Sequence, residues 1–379
     1  MKGSYWLRAY SSTKNMDVDK KETEKAILVG LSRDSRLRAD TDASLDELAR
    51  LTYSAGAKVV GRRVQTRPRP DPALFVGSGF VGQLKAMLAE TGGNCLIFDD
   101  ALSPAQQRNL EKELEVKVVD RPILILDIFA TRARSHAARL QVELAQLEYT
   151  LPRLTGAWVH FSRQYGGMGA KGPGETQLEI DRRQVRTKIV SLKKRLAKLD
   201  SQRNTQRKQR QQYFKVALVG YTNAGKSTLF NKLTKASVRT ADMLFTTLDS
   251  TTRVLSTPHP CRIVVSDTVG FIKKLPHQLV ASFKSTLEEV CLADLLLHVV
   301  DCTDDEPAEA LAQTRRVLTE IGAEKIPYLL LYNKIDANPG FCPAIDNHGP
   351  AFLVSARDEI GLPGLLAELV ARSNRTVAS

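Results

Sequence analysis

The apolar positions of this chain fall into three successive patterns. From about Glu24 to Asp120, short apolar runs alternate with stretches of helical spacing. Ala26 to Val29, Lys58 to Val60, Ala73 to Val76, Cys95 to Phe98 and Val116 to Val119 read as strands. Leu45, Leu48 and Leu51 mark a helix, and further helices are expected over 82–90 and 104–113. Such alternation predicts right-handed crossovers and a small parallel sheet. Two long helices should follow. The first, over 122–149, carries Leu140, Leu144, Leu147 and Leu151 on one seam; the second, over 175–211, places Leu178, Val185, Ile189, Leu192, Leu196 and Leu199 on a heptad seam. Joined by a loop, these seams predict an antiparallel helical hairpin. From Phe214 onward buried strands return at Val216–Val219, Arg262–Ser266, Leu295–Val300, Tyr328–Leu331 and Ala351–Val354.

The predicted fold class is therefore α/β. A domain with a mostly parallel sheet (213–373) is preceded by a small parallel α/β subdomain (24–121) and the helical hairpin (122–212), with flexible tails at 1–23 and 374–379. The 379 residues suffice for two or three cores. No apolar run approaches the length of a membrane span. Residues 1–16 contain Lys2, Arg8 and Lys14 but no apolar core of a secretory signal, so a disordered tail is expected there and an organellar transit peptide stays open. The five cysteines are scattered and none forms a C-x-x-C pair, which argues against a disulfide framework or a zinc site and for a reducing, cytoplasmic setting. Each is expected to be a small buried apolar residue.

Charge changes the picture more than composition does. The net charge is +13, and the span from Arg182 to Arg210 holds twelve basic residues against one acid, Asp200, a local charge of +11. Acids at i,i+4 are nearly absent there, so a polyanion partner is expected in place of a self-compensated solvated face. Between the two helices, YGGMGAKGPG (165–174) follows Trp158 and Phe161. It reads either as a flexible linker or as a loop that orders against RNA through backbone N–H groups and stacking.

The chemistry begins at Gly220-Tyr221-Thr222-Asn223-Ala224-Gly225-Lys226-Ser227-Thr228, which follows a strand and opens a helix. That context is what a phosphate-binding loop requires: backbone N–H groups and the helix N-terminus face the phosphates. Lys226 reaches the β/γ-phosphates, and Ser227 ligates Mg²⁺. Phe245-Thr246-Thr247-Leu248-Asp249 reads as a mobile switch with a threonine for the metal. Asp267-Thr268-Val269-Gly270 ends a strand; its carboxylate faces the metal, through a water, and the Gly270 N–H holds the γ-phosphate. Asn333-Lys334-Ile335-Asp336 selects guanine, with Asp336 accepting from the base and the Lys334 stem packing on the ring. Adenine would leave that carboxylate unpaired. Ser355-Ala356 offers a backbone N–H to the guanine carbonyl. Gly77-Ser78-Gly79-Phe80-Val81-Gly82 also fits a dinucleotide fingerprint, but the small sheet and the loop at 220–227 favour a simple turn there.

These motifs resemble the translation-factor class of P-loop GTPases. GPGETQLEIDRR (172–183), QVELAQLEYTLPRL (141–154), DRPILILDIFATRA (120–133) and DTVGFIKKLPHQLV (267–280) resemble the HflX family in particular. The resemblance implies a Mg²⁺-dependent GTPase that binds the large ribosomal subunit and its rRNA and splits or rescues stalled ribosomes under stress. It assigns the switch threonine to Thr247. The contacts expected with the ribosome are Arg153, Lys171, Gly172, Gly174, Arg182, Arg183, Arg186 and Lys188. A potassium ion near Asn223 is a family-like alternative. Departures from the family pattern are Ala137-Ala138-Arg139 in place of an EGK triplet, Ser78 and Phe80 where lysines are usual, and Ser250 for a proline. The extra C-terminal domain of some relatives is expected to be absent or residual. Phe271 occupies the position where a glutamine orients the attacking water in the Ras pattern, so intrinsic hydrolysis should be slow and the water-positioning residue is unassigned. The expected assembly is a cytoplasmic monomer, with membrane-surface association left open. A second reading is a regulatory GTP sensor whose hairpin binds an acidic protein without RNA.

Overall fold

The computed structural model describes residues 23–154, 177–208, 212–236, 244–245, 247–248, 250–256, 262–274, 284–304, 306–343 and 350–377. The glycine-rich loop at 165–174, with Lys171, Gly172 and Gly174, lies outside these residues, as do Thr246 and Asp249. The chain divides into two compact units, one of residues 1–131 and 139–196, the other of 132–138 and 197–379.

In the first unit β1 (Lys25–Ser32), β2 (Lys58–Thr66), β3 (Cys95–Phe98) and β4 (Lys117–Asp120) form a sheet in the order β2-β1-β3-β4, with every pairing parallel. The connecting helices are α1 (Arg38–Ser54), α2 (Ser78–Thr91) and α3 (Pro104–Leu114). Ile27 and Val29 point to one face of β1, where they join Leu84 and Leu88 of α2 and Leu110 and Leu114 of α3. Ser103 caps α3 with a reciprocal box: it accepts from the Gln106 N–H, and Gln106 accepts from the Ser103 N–H.

Two local expectations fail in this unit. Ala73–Val76 is not a strand; Asp71 and Phe75 bridge across a tight turn, Phe75 has φ +65°, and the Asp71 carboxylate accepts the Ala73 and Leu74 N–H groups. Four apolar letters cannot distinguish a strand from a turn that buries its side chains. The helix expected over 122–149 is two helices, α4 (Arg121–Arg132) and α5 (His136–Thr150), because Ser135 turns the chain and caps the Ala138 N–H at 3.0 Å. The seam on α6 (Gln177–Lys208) is as expected, with Val185, Ile189 and Leu192 buried.

The second unit carries six strands, β5 (Phe214–Gly220), β6 (Thr251–Val254), β7 (Ile263–Asp267), β8 (Leu295–Asp301), β9 (Tyr328–Asn333) and β10 (Ala351–Leu353), in the order β10-β9-β8-β5-β7-β6. All pairs are parallel except β6 with β7. Sequence patterning missed β6 because an edge strand half in water, TTRV, has no apolar run to betray it. Alternation along β5 divides the core. Val216 and Leu218 meet Leu229, Phe230 and Leu233 of α7 (Lys226–Thr234) and Leu365 and Leu369 of α10 (Leu362–Val377). Ala217 and Val219 meet Leu287 and Val290 of α8 (Lys284–Cys291) and Val317 and Leu318 of α9 (Pro307–Glu320). Cys95 and Cys302 are buried as expected, whereas Cys291 and Cys342 are exposed. Among the described residues no helix is long and apolar enough to cross a membrane.

Candidate functional site

The order of strands reverses beside β5, and in an open α/β sheet that places the binding crevice at the carboxyl end of this strand. Gly220 ends β5 with φ +144°, and a Cβ there would lie 2.2 Å from the Val299 carbonyl oxygen of β8. Gly225 opens α7 with φ +90°, and its added Cβ would lie 2.2 Å from Asn333 Nδ2. Only glycine satisfies both positions, by conformation and by space. The loop between them curls around a cleft lined by Asn223, Lys226, Ser227, Phe245, Thr247 and Gly270.

Three oxygens meet in this cleft. Ser227 Oγ lies 2.7 Å from Asp267 Oδ2 and 2.7 Å from Thr247 Oγ1, and the Thr247 hydroxyl donates to the same carboxylate oxygen at 2.9 Å. The structure thus assembles Ser227, Thr247 and Asp267 from a loop, a switch and a strand end. Asp267 is fully buried, and burial raises its carboxyl pKa against the hydroxyl bonds and Lys226, which lower it. Among the described residues its Oδ1 has no hydrogen-bond partner. A buried oxygen left without a donor, with two hydroxyls at hand, fits a hard cation that takes few protein ligands and completes its shell with water and phosphate oxygens. Two hydroxyls and a carboxylate are hard oxygen donors, a set that suits Mg²⁺ better than a transition metal.

Lys226 is buried and donates to the carbonyl oxygens of Gly220 (3.0 Å) and Tyr221 (2.7 Å). Burial pulls its pKa down to about 8, although Asp267 acts in the opposite direction. Phosphate oxygens arriving there would restore full charge on the ammonium. Gly270 packs against the loop so closely that a Cβ would lie 2.7 Å from Thr222 Cα and 3.0 Å from Lys226 Nζ.

Two segments beside the cleft are fastened to side chains of the loop. The Phe245 N–H donates to Thr222 Oγ1 at 3.2 Å, and the Lys273 N–H donates to the Tyr221 hydroxyl at 2.8 Å. Phe271 is bridged to the loop by its own backbone, with its N–H on the Gly220 carbonyl and its carbonyl on the Thr222 N–H. Its ring is buried with Ala217, Val219, Leu287 and Val290, away from any role in holding water. Leu248 is buried beside the switch threonine, and Thr268 and Val269 are buried in the strand-end turn.

At the other end of the crevice Asn333 is held by the chain itself. Its Nδ2 donates to the Ala224 carbonyl and its Oδ1 accepts the Ala356 N–H, each at 2.9 Å. The side chain is a tie between the phosphate loop and the 355–356 turn, where it takes up the Ala356 N–H. Asp336 is half-buried and oriented by the Ser355 hydroxyl at 2.7 Å. Lys334, at φ +67°, pairs with Asp301 at 2.5 Å, which fixes its stem. Asp301 escaped the sequence reading, although a carboxylate ending a buried strand was the available signal.

The basic residues assigned to a polyanion partner divide. Arg153 is a strut of the first unit: its guanidinium donates to Gln107, to the carbonyls of Tyr149 and Leu102, and to the Tyr149 hydroxyl, and stacks on the Tyr149 ring. Arg182 is half-buried and donates to the Leu154 carbonyl. Arg183, Arg186 and Lys188 are exposed. Lys188 and Lys193 pair with Glu143 and Glu148 of α5, so part of the charge on α6 is compensated across helices and not along one, where sequence spacing could reveal it.

Comparison with known proteins agrees with this geometry. Residues 215–334 match the family model described as 50S ribosome-binding GTPase, residues 42–130 that of GTP-binding GTPase N-terminal, and residues 132–210 that of GTP-binding GTPase Middle Region. The chain is similar to GTPase HflX of Escherichia coli strain K12, 47% identical over 340 residues that cover 88% of this chain and 80% of that one. It is similar also to GTPase HflX of Caldanaerobacter subterraneus, 46% identical over 348 residues, 91% and 80% of the two chains. Among solved structures, a crystal structure of SsGBP in complex with GDP aligns with a TM-score of 0.50 at 24% identity, covering 93% of this chain and 99% of that one, which speaks for the fold alone.

Proposed function

This chain belongs to the HflX family of GTPases, and from that premise we propose that it is a Mg²⁺-dependent GTP switch that docks on the large ribosomal subunit and separates or rescues stalled ribosomes. The observation that carries the switch is the meeting of Ser227, Thr247 and Asp267 in one cleft, because it joins a mobile segment to the phosphate loop through groups suited to a metal. Bound Mg²⁺ would neutralise charge on the β- and γ-phosphates. The chain itself supplies the cradle at 220–228, a cation in Lys226, the Gly270 backbone beside the γ-phosphate, and Asp336 for the base. Loss of the γ-phosphate would release Thr247 and Gly270, and with them the switch segments tied to Tyr221 and Thr222. Phe271 cannot hold water, so the hydrolytic water is completed from elsewhere and free turnover is slow. A potassium ion near Asn223 is one such source; equal rates in K⁺ and Na⁺ would dispose of it.

Ribosome docking is supported by the match of residues 215–334 and by the exposed Arg183 and Arg186 on α6. The test is sedimentation with large subunits in GMPPNP and in GDP. Co-migration in GMPPNP that weakens in GDP, in salt, and on charge reversal at Arg183 and Arg186 is expected. A complex that survives RNase and is insensitive to salt would instead favour a GTP sensor with a protein partner.

A further inference from the structure

Two carboxylates stand near one ammonium where β8 and β9 end, and the fold decides which of them holds it. Asp301 is the last residue of β8 and lies in register with Asn333, the last residue of β9. The contact continues past the strand ends: the Cys302 N–H donates to the Asn333 carbonyl at 3.0 Å, and Asn338 Nδ2 donates to the Cys302 carbonyl at 2.9 Å. Asp301 is therefore fixed about one strand spacing, roughly 4.8 Å, from the start of the 333–336 segment.

Both oxygens of Asp301 are engaged. Oδ1 accepts the Thr303 N–H at 2.9 Å and the Thr303 hydroxyl at 2.7 Å, and Oδ2 takes the Lys334 ammonium at 2.5 Å. Lys334 stands at φ +67°, and the Ala337 N–H donates to its carbonyl at 3.0 Å, so Lys334 and Asp336 share one tight turn. Asp336 accepts the Ser355 hydroxyl on Oδ1; among the described residues its Oδ2 has no hydrogen bond or ion pair. The three charges crowd a common neighbour. Burial pushes the Cys302 thiol pKa up, Asp301 and Asp336 push it further, and Lys334 opposes them.

An ammonium on a flexible four-carbon stem, two residues from a half-buried carboxylate, pairs with that carboxylate when nothing else holds it. Asp336 would then share its oxygens between the ammonium and the donors of a purine. A brace for the turn could be built from either acid. Pairing with Asp301 is the choice that leaves Oδ2 of Asp336 open.

We infer that Asp301 is a specificity-determining positioning residue: by holding the Lys334 ammonium away from Asp336, it keeps that carboxylate available to read the two N–H donors of guanine. The inference rests on the reading of Asp336 as the acceptor for the base.

The test measures dissociation constants of GDP and IDP for the full chain, by competition against a fluorescent GDP analogue. IDP lacks the exocyclic amino group, so the IDP/GDP ratio reports what the carboxylate gains from it. In Asp301→Asn the amide oxygen can still accept from Thr303, whereas the amide nitrogen cannot hold the ammonium. GDP binding should weaken at least about tenfold and the ratio should fall about three- to tenfold, because a hydrogen bond to a charged acceptor is worth about ten- to a hundredfold in affinity. Adding Lys334→Met keeps the stem and removes the competing charge, so the double variant should regain the parent's ratio. Thermal unfolding checks each fold. If Asp301→Asn does not fold, Asp301→Glu carries the test: moving the acid by one methylene loosens its hold on the ammonium, and the ratio should again fall and be restored by Lys334→Met. A ratio that does not fall, or that falls and is not restored in the double variant, overturns the inference. A parent that binds IDP as tightly as GDP sinks the reading of Asp336 and this inference with it. A discriminating parent beside an equally discriminating Asp301→Asn sinks this inference alone.

Discussion

Asn333 and Gly225 offer a quantitative check on how the crevice is built, because one occupies the space the other leaves. Asn333→Ala removes the acceptor of the Ala356 N–H and the donor to the Ala224 carbonyl. Asn333, Ala224 and Ala356 are all buried, so water cannot replace either bond. Each stranded group costs about 1 to 3 kcal/mol, roughly 2 to 6 kcal/mol together. Gly225→Ala fails for two reasons: φ +90° is strained for alanine, by about 1 to 2 kcal/mol, and its Cβ would lie 2.2 Å from Asn333 Nδ2. Truncating Asn333 relieves the clash and leaves the strain. The double variant should therefore be more stable than the sum of the single losses by about 1 to 3 kcal/mol. Urea unfolding gives the stabilities, and titration with a fluorescent GDP analogue gives the parallel loss in affinity. Additivity within about 0.5 kcal/mol would refute the contact on which the reasoning rests.

Ser227→Ala should lower GTP turnover at least about a hundredfold and abolish the Mg²⁺ dependence of GMPPNP affinity, because several kcal/mol of charge stabilisation pass through the metal; an unchanged Mg²⁺ titration would contradict the assigned ligand. Glu111, in α3, has its pKa raised by burial from 4.5 to about 7, the bonds to Val118 and Gln107 notwithstanding. Its stabilising contribution is present below about 4.5 and is lost as pH rises towards 7, by about 1 to 3 kcal/mol, since the folded form holds the proton that the unfolded form releases. Unfolding at pH 5 and pH 7.5 measures this, and Glu111→Gln should flatten the difference. Arg153→Ala leaves the buried Asp120 without its cation and should destabilise the chain by about 3 to 5 kcal/mol while GDP affinity stays unchanged. Wild-type unfolding behaviour in that variant would return Arg153 to the list of surface contacts.

The GTP machinery was legible in the chain because each part is a local motif at the end of a buried strand. Val216 to Val219 announces β5, and the two glycines of the loop are needed for reasons of φ and space that operate within a few residues. The two sheets were readable for the same cause: parallel strands buried on both faces are written as apolar runs. Where burial is partial the signal fades, as at β6, and where a turn buries its own side chains it misleads, as at Ala73 to Val76. Part of the hairpin's charge balance was hidden for a different reason. Spacing along α6 cannot show Glu143 and Glu148, which come from α5 and meet Lys188 and Lys193 only after the helices pack.

The amino-acid sequence by itself determined the fold class and the GTPase family, and it named the segments that the fold gathers at one crevice. Tertiary structure alone decided the work of several of those residues. Asn333 ties the phosphate loop to the 355–356 turn, and Arg153 is a half-buried strut of the first unit. Tyr221 and Thr222 hold the backbone at Lys273 and Phe245 through hydroxyls that no motif specifies. The physical reason is one of range. Backbone conformation and apolar periodicity are encoded by near neighbours, whereas a hydrogen bond or ion pair between Asn333 and Ala224, or Arg153 and Asp120, exists only when distant segments have already been packed together.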